Sequence, residues 1–156
     1  MELNEFIIKE GTKPKYILDT SVIVKWYFTE NEDDFDVAML FYEQVSNSRI
    51  IIISPELMIY ELLNFFISRH VLPQDKISRI LSEVYDILFI INSSKHISEE
   101  ACRIAGIIKK PIYDCIFIAL SSKLQYPLFT ADSKLCDAAK KSGYDVFNIS
   151  QYKQFF

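Results

Sequence analysis

Short, unbroken apolar runs recur along this chain, and one or two segments of helical periodicity separate each from the next. The runs are KYILD (15–19), RIIII (49–53), LFII (88–91), PLFTA (127–131) and DVFNI (145–149). A strand that is apolar at every position, rather than at alternate ones, is covered on both faces, as strands of parallel sheets are. Parallel neighbours need long crossovers, and the helical segments supply them. TSVIVKWYF follows the first run and reads as a helix opened by Thr20 or Ser21. Over 33–47, Val37, Leu40, Phe41 and Val45 line one helical face. Pro55 is expected to open the helix that contains LMIYELLNFFI, and Pro73 the next. Ser98 should start one that runs to about Lys109, Pro111 another, and 132–142 a last one ending at Gly143. The expected class is α/β: three α/β/α layers around a parallel sheet of four to five strands.

With 156 residues, no linker-like stretch and no internal repeat, the chain reads as a single domain over 1–156, with a lead-in at 1–14 and a core at about 15–149. Three cysteines with no C-x-x-C spacing, all in apolar or helical contexts, read as reduced, buried thiols of a cytoplasmic protein. Two histidines, His70 and His96, leave little material for a zinc site or a catalytic triad. No run approaches the roughly 18 uncharged apolar residues of a membrane span, so no membrane association is expected. A net charge of −4 excludes a broad basic nucleic-acid footprint, though not an acidic, metal-filled pocket that acts on nucleic acid.

Four carboxylates fall where packing alone would not put them. In LMIYELLNFFI (57–67) nine of eleven residues are apolar or aromatic, yet Glu61 sits in the middle. Carboxylates are rarely buried without a partner. Positions 61, 64 and 68 share one helical face, so Glu61, Asn64 and Ser68 form a polar stripe that must face something polar. Asp19 ends the first apolar run and Asp132 follows PLFTA. The carboxyl ends of parallel strands are where open α/β sheets bind their ligands. Asp114 lies in the first turn of IYDCIFIAL, a helix apolar on nearly every side. Plainer roles exist: Asp132 as a helix N-cap, worth about 1 kcal/mol, and Asp114 as a complement to a helix dipole. Asp19 is less easily explained as a cap, because Thr20 and Ser21 follow it.

Brought into one cleft, four carboxylates repel until some take up protons or a cation neutralises them. An all-oxygen donor set suits a hard divalent ion, Mg²⁺ or Mn²⁺, better than Zn²⁺. Such an ion binds phosphate oxygens and lowers the pKa of an attacking water, the chemistry of phosphodiester hydrolysis.

In this order and at these separations, ILDTSVIVKWYFTE (17–30), SPELMIYELLNFF (54–66), YDCIFIAL (113–120) and LFTADSKL (128–135) resemble the PIN-domain ribonucleases, closest to the compact VapC-type toxins of toxin–antitoxin pairs. The resemblance runs from about Lys15 to Ile149. It implies a PIN-like fold in which Asp19, Glu61, Asp114 and Asp132 bind one or two Mg²⁺ or Mn²⁺ ions and activate water to cut RNA. Ser21, Thr130 and Asn64 fall at supporting positions. It also implies a homodimer and an antitoxin whose C-terminal segment lies in the cleft. Cys115, where the family often has alanine, and the longer lead-in are departures away from this chemistry.

For substrate phosphates, Lys25, Arg69, Lys123 and Lys134 lie near the motif segments, and ordinary solvated charge is the plainer reading of each. Trp26, Tyr27 and Phe28 offer surfaces for base stacking or, more simply, core packing. Two other roles fit the same residues: a housekeeping RNA-processing nuclease, and a PIN-like RNA-binding or assembly module that no longer cuts. A haloacid-dehalogenase-type phosphotransferase is excluded because Ser21 stands where its second aspartate belongs, and nucleotide folds because no glycine-rich phosphate loop is present.

Overall fold

The computed structural model describes residues 13–28, 33–69 and 72–155. Most of the expected lead-in (1–12), and His70, lie outside the described residues. Five strands form one sheet: β1 Lys15–Leu18, β2 Ile51–Pro55, β3 Phe89–Ile91, β4 Leu128–Thr130 and β5 Val146–Asn148. All neighbours are parallel, in the order β3-β2-β1-β4-β5. Seven α-helices are described: α1 Thr20–Tyr27, α2 Phe35–Ser46, α3 Leu57–Arg69, α4 Gln74–Ile87, α5 Lys95–Ile108, α6 Ile112–Leu124 and α7 Ser133–Lys141. A 3₁₀ segment, Ile149–Phe155, follows β5. Side chains alternate between faces along a strand, so the unbroken burial of β2 and β4 requires cover on both sides. The α/β class and five-stranded parallel sheet are those expected from the apolar runs.

The chain lays down β1, β2 and β3 in one direction, then returns across β1 to place β4 and β5 on its other side. The reversal lies between β1 and β4, where Leu18 pairs with Phe129 and the Asp19 N–H donates to the Phe129 carbonyl at 2.9 Å. Loops leaving adjacent strands in opposite directions open a crevice at such a point.

Some boundaries differ from the sequence reading, for local reasons. Pro55 is the last residue of β2, opposite Ile91 of β3, and does not open α3. Lacking an N–H, it suits the end of a ladder, and the next N–H, that of Glu56, bonds Ile91. Helix α5 starts one turn earlier than Ser98: Ser94 is its N-cap, accepting from the Ile97 N–H at 3.2 Å, and the Ser98 hydroxyl donates back to the Ser94 carbonyl. Cys115 and Cys136 are buried free thiols, but Cys102 is exposed on the outer face of α5. Trp26 packs inward, its indole N–H donating to the Ala38 carbonyl at 2.8 Å, which makes it core rather than a stacking surface. No helix among the described residues is long and apolar enough to cross a membrane.

Candidate active site

Asp19 is the N-cap residue of α1, yet its side chain makes no capping bond. It is 7% exposed, and its Oδ2 instead accepts from the Ser21 hydroxyl at 2.6 Å and the Thr130 hydroxyl at 2.8 Å. Ser21 Oγ in turn accepts from the Ala131 N–H, and Thr130 Oγ1 from the Asp132 N–H. These bonds stitch the first turn of α1 to the end of β4. Glu61, half-buried on α3, accepts a short hydrogen bond from the Thr20 hydroxyl, which ties α3 to the same turn. Asp114, also half-buried, lies in the first turn of α6. Asp132 is exposed and caps α7, its Oδ1 accepting from the N–H groups of Lys134 and Leu135 at 2.9 and 3.0 Å.

The four acids act on one another electrostatically. Burial lifts the Asp19 carboxyl above its ordinary range, Ser21 and Thr130 pull it down, and the Asp132 charge pushes it up. Burial also raises Glu61, opposed by the Thr20 bond and reinforced by Asp19 and Asp114. Asp114 is raised by burial, then by Asp19 and Asp132, and Lys110 partly offsets this. Three carboxyls are thus held high by burial and by neighbouring carboxylate charge, a combination that marks a candidate functional site.

The donors fit a hard divalent ion in kind, being carboxylates supported by hydroxyls. Among the described residues, no three His, Cys, Asp or Glu side chains stand as a compact metal-ligand group.

The supporting and basic candidates are placed unevenly. Ser21 and Thr130 join the cluster directly. Asn64 and Ser68 are exposed beyond Glu61, and Ser68 bonds the Phe65 carbonyl of its own helix. The stripe therefore faces the acids only at Glu61 and solvent elsewhere. Lys25 is 6% exposed and engaged within the protein, so it is not displayed to a phosphate as first expected. Its position on α1 turns it inward. Arg69 ends α3 and stacks over the rings of Phe65 and Phe28, at 4.9 and 6.0 Å. Lys123 lies at the opposite end of α6 from Asp114, about 14 Å along the axis. Lys134 is exposed beside the Asp132 cap.

Two participants escaped the sequence reading. Thr20 was read only as a helix opener, although a hydroxyl beside Asp19 was the signal. Lys110 was passed over, although it stands four residues before Asp114, across Pro111.

Comparison with known proteins agrees with this fold. The PIN domain family matches residues 16–141, and the chain belongs to that family. No curated protein sequence matches it. Among solved structures it is similar to PAE2754 from Pyrobaculum aerophilum, with 17% identity, a TM-score of 0.64, and coverage of 89% of this chain and 92% of that one. It is also similar to the DNA-bound VapBC of Salmonella typhimurium, with 12% identity, TM-score 0.64, and 87% and 98% coverage. A third is VapC20 of Mycobacterium tuberculosis, a sarcin–ricin-loop-cleaving toxin, with 10% identity, TM-score 0.61, and 83% and 95% coverage. At these identities the likeness is one of fold.

Proposed function

We propose that this PIN-domain protein is a metal-dependent endoribonuclease, the toxin of a VapBC-type toxin–antitoxin pair, that hydrolyses RNA phosphodiester bonds in the cytoplasm. What supports the reading is that Asp19 and Asp132 follow the adjacent strands β1 and β4, where the sheet reverses its order, that Thr20 ties Glu61 to the same turn, and that Asp114 feels the charges of Asp19 and Asp132. Similarity of fold to VapC20 and to toxin–antitoxin assemblies supports the toxin role and an antitoxin partner.

Asp19 and Asp114 are the residues to hold Mg²⁺ or Mn²⁺, which when bound supplies charge for the phosphate oxygens and lowers the pKa of a water. Ser21 and Thr130 fix the Asp19 carboxylate from below by their two hydroxyl bonds. Thr20 fixes Glu61, which orients water or meets a second ion. Asp132 gives Oδ1 to the α7 cap and keeps its charge on the cluster. Fixed partners of this kind set ligand orientation and are worth about 10–100-fold in activity or metal affinity. We further expect a homodimer, with an antitoxin segment that competes for the acidic cleft.

The test is to purify the protein without its partner and incubate it with mixed single-stranded RNAs. Arms with Mg²⁺ or Mn²⁺, with excess EDTA, and with Asp19→Asn would be compared. Cleavage seen only in wild-type protein with metal supports the reading. Intact RNA with folded, metal-loaded wild-type protein, together with no Mn²⁺ uptake by calorimetry, would leave a PIN-like binding module.

A further inference from the structure

A net-negative protein with an acidic active site repels the strand it cuts, so some surface has to draw the phosphates in. Beside the cluster runs a shallow groove of about 440 Å³ between the end of α5, the α5–α6 turn and α7. Its charged lining is Lys110, Lys134, Lys141 and Asp137, three cations to one anion in a chain of net charge −4. Positions 134, 137, 138 and 141 follow i, i+3, i+4, i+7 spacing, so one face of α7 forms the groove wall.

Both ends of that wall are positioned by features already described. Lys134 follows the Asp132 cap and gives its N–H to that carboxylate. Lys110 is brought to Asp114 by a tight turn in which Lys109 takes a left-handed conformation (φ 57°) and Pro111 restarts the chain as α6. Lys141 stands seven residues beyond Lys134, about 10 Å along the helix. Lys134 and Lys141 are exposed, Lys110 is half-buried, and no salt bridge engages any of the three among the described residues.

We infer that this groove is the track for the single-stranded RNA flank, with Lys110, Lys134 and Lys141 contacting successive backbone phosphates as the strand leaves the acid cluster along α7. The inference rests on the nuclease reading above. Lys110 and Lys134 hold the strand at the point of cutting, and Lys141 extends the contact outward. These lysines position the strand; none takes part in the hydrolysis.

The test measures anisotropy of a fluorescein-labelled oligouridylate in EDTA, so that the strand stays intact, across a series of salt concentrations. The proteins are wild type, a Lys110→Gln/Lys134→Gln/Lys141→Gln variant, its Lys→Arg counterpart, and a control with Lys76→Gln, Arg79→Gln and Lys95→Gln. Each phosphate contact on a single strand contributes about 0.7 to the slope of log K against log salt. The groove variant should therefore lose a slope of about 2, while the arginine variant and the control keep that of wild type. A wild-type slope in the groove variant, or an equal loss in the control, overturns the assignment and leaves the nuclease reading standing. A change of sedimentation mass in the groove variant alone would assign the groove to a subunit contact instead. Failure of wild type both to bind and to cut RNA would overturn the nuclease reading, and the track with it.

Discussion

Asp19 and Asp132 begin alike and end differently. Each follows a buried strand, each is the N-cap residue of the next helix, and their strands are adjacent. Asp132 is exposed and gives one oxygen to two free N–H groups in the first turn of α7, those of Lys134 and Leu135. Asp19 is buried and caps nothing, its carboxylate held by the hydroxyls of Ser21 and Thr130. Backbone position is therefore not what distinguishes them. Two hydroxyls brought in from α1 and β4 turn one aspartate away from its helix and toward the crevice, and no such pair reaches the other.

The sharpest way to break this contrast is to remove each charge without removing the shape. Asp19→Asn should lower metal-dependent RNA cleavage by roughly 10²–10³-fold, the scale of a lost preorganised electrostatic contact, with circular dichroism unchanged. Asp132→Asn should lose less, since its amide oxygen still caps α7; equal losses in parallel cleavage assays would erase the distinction. Next in size, Ser21→Ala or Thr130→Val should cost about 10–100-fold, and part of that should return as Mg²⁺ is raised in a metal titration. A loss that added metal does not touch would show the hydroxyls act otherwise than by orienting Asp19.

Stability should divide the pair the other way. Asp132→Ala removes the cap and should cost about 1 kcal/mol, or about 2–4 °C in melting temperature for a domain of this size. Asp132→Asn should melt close to wild type by calorimetry. The smallest effect concerns pH. Asp19, Glu61 and Asp114 are held above their ordinary range, so the native state binds protons more tightly than the unfolded chain. Their contribution is then most favourable below about pH 4, where both states are protonated. It is lost as pH rises through the elevated native values. Metal-free protein should accordingly melt lower at pH 7 than at mildly acidic pH, and Asp114→Asn should reduce that difference. A melting temperature that climbs with pH over this range, by calorimetry in EDTA, would contradict the sign.

Which parts of this were legible in sequence follows from how local their causes are. The inner strands β1, β2 and β4 announced themselves because double-sided burial leaves its mark at nearly every position, and the half-buried edge strands β3 and β5 through their short apolar stretches. Glu61 announced itself because its neighbours are apolar. The boundary at Pro55 escapes the sequence because it turns on a hydrogen bond across the sheet to Ile91, and that at Ser94 because two serines four residues apart offer the same cap. Asn64 and Ser68 share a face with Glu61, but helix geometry alone could not say where the cover on that face stops. Thr20 and Lys110 were ordinary residues until the fold set one against Glu61 and the other beside Asp114.

The Asp19–Thr130 bond spans 111 positions of sequence, and the Thr20–Glu61 bond spans 41. The crevice thus takes its second wall, and Asp19 its second hydroxyl, from β4, which is made after β1, β2 and β3, and chains fold from the N-terminus as they are made. Contacts this distant form late. A chain interrupted between Asp114 and Leu128 possesses three of the four acids and strands β1 to β3, but not the arrangement that makes them one site. For the ribonuclease proposed above, topology itself postpones the activity until β4 has been made.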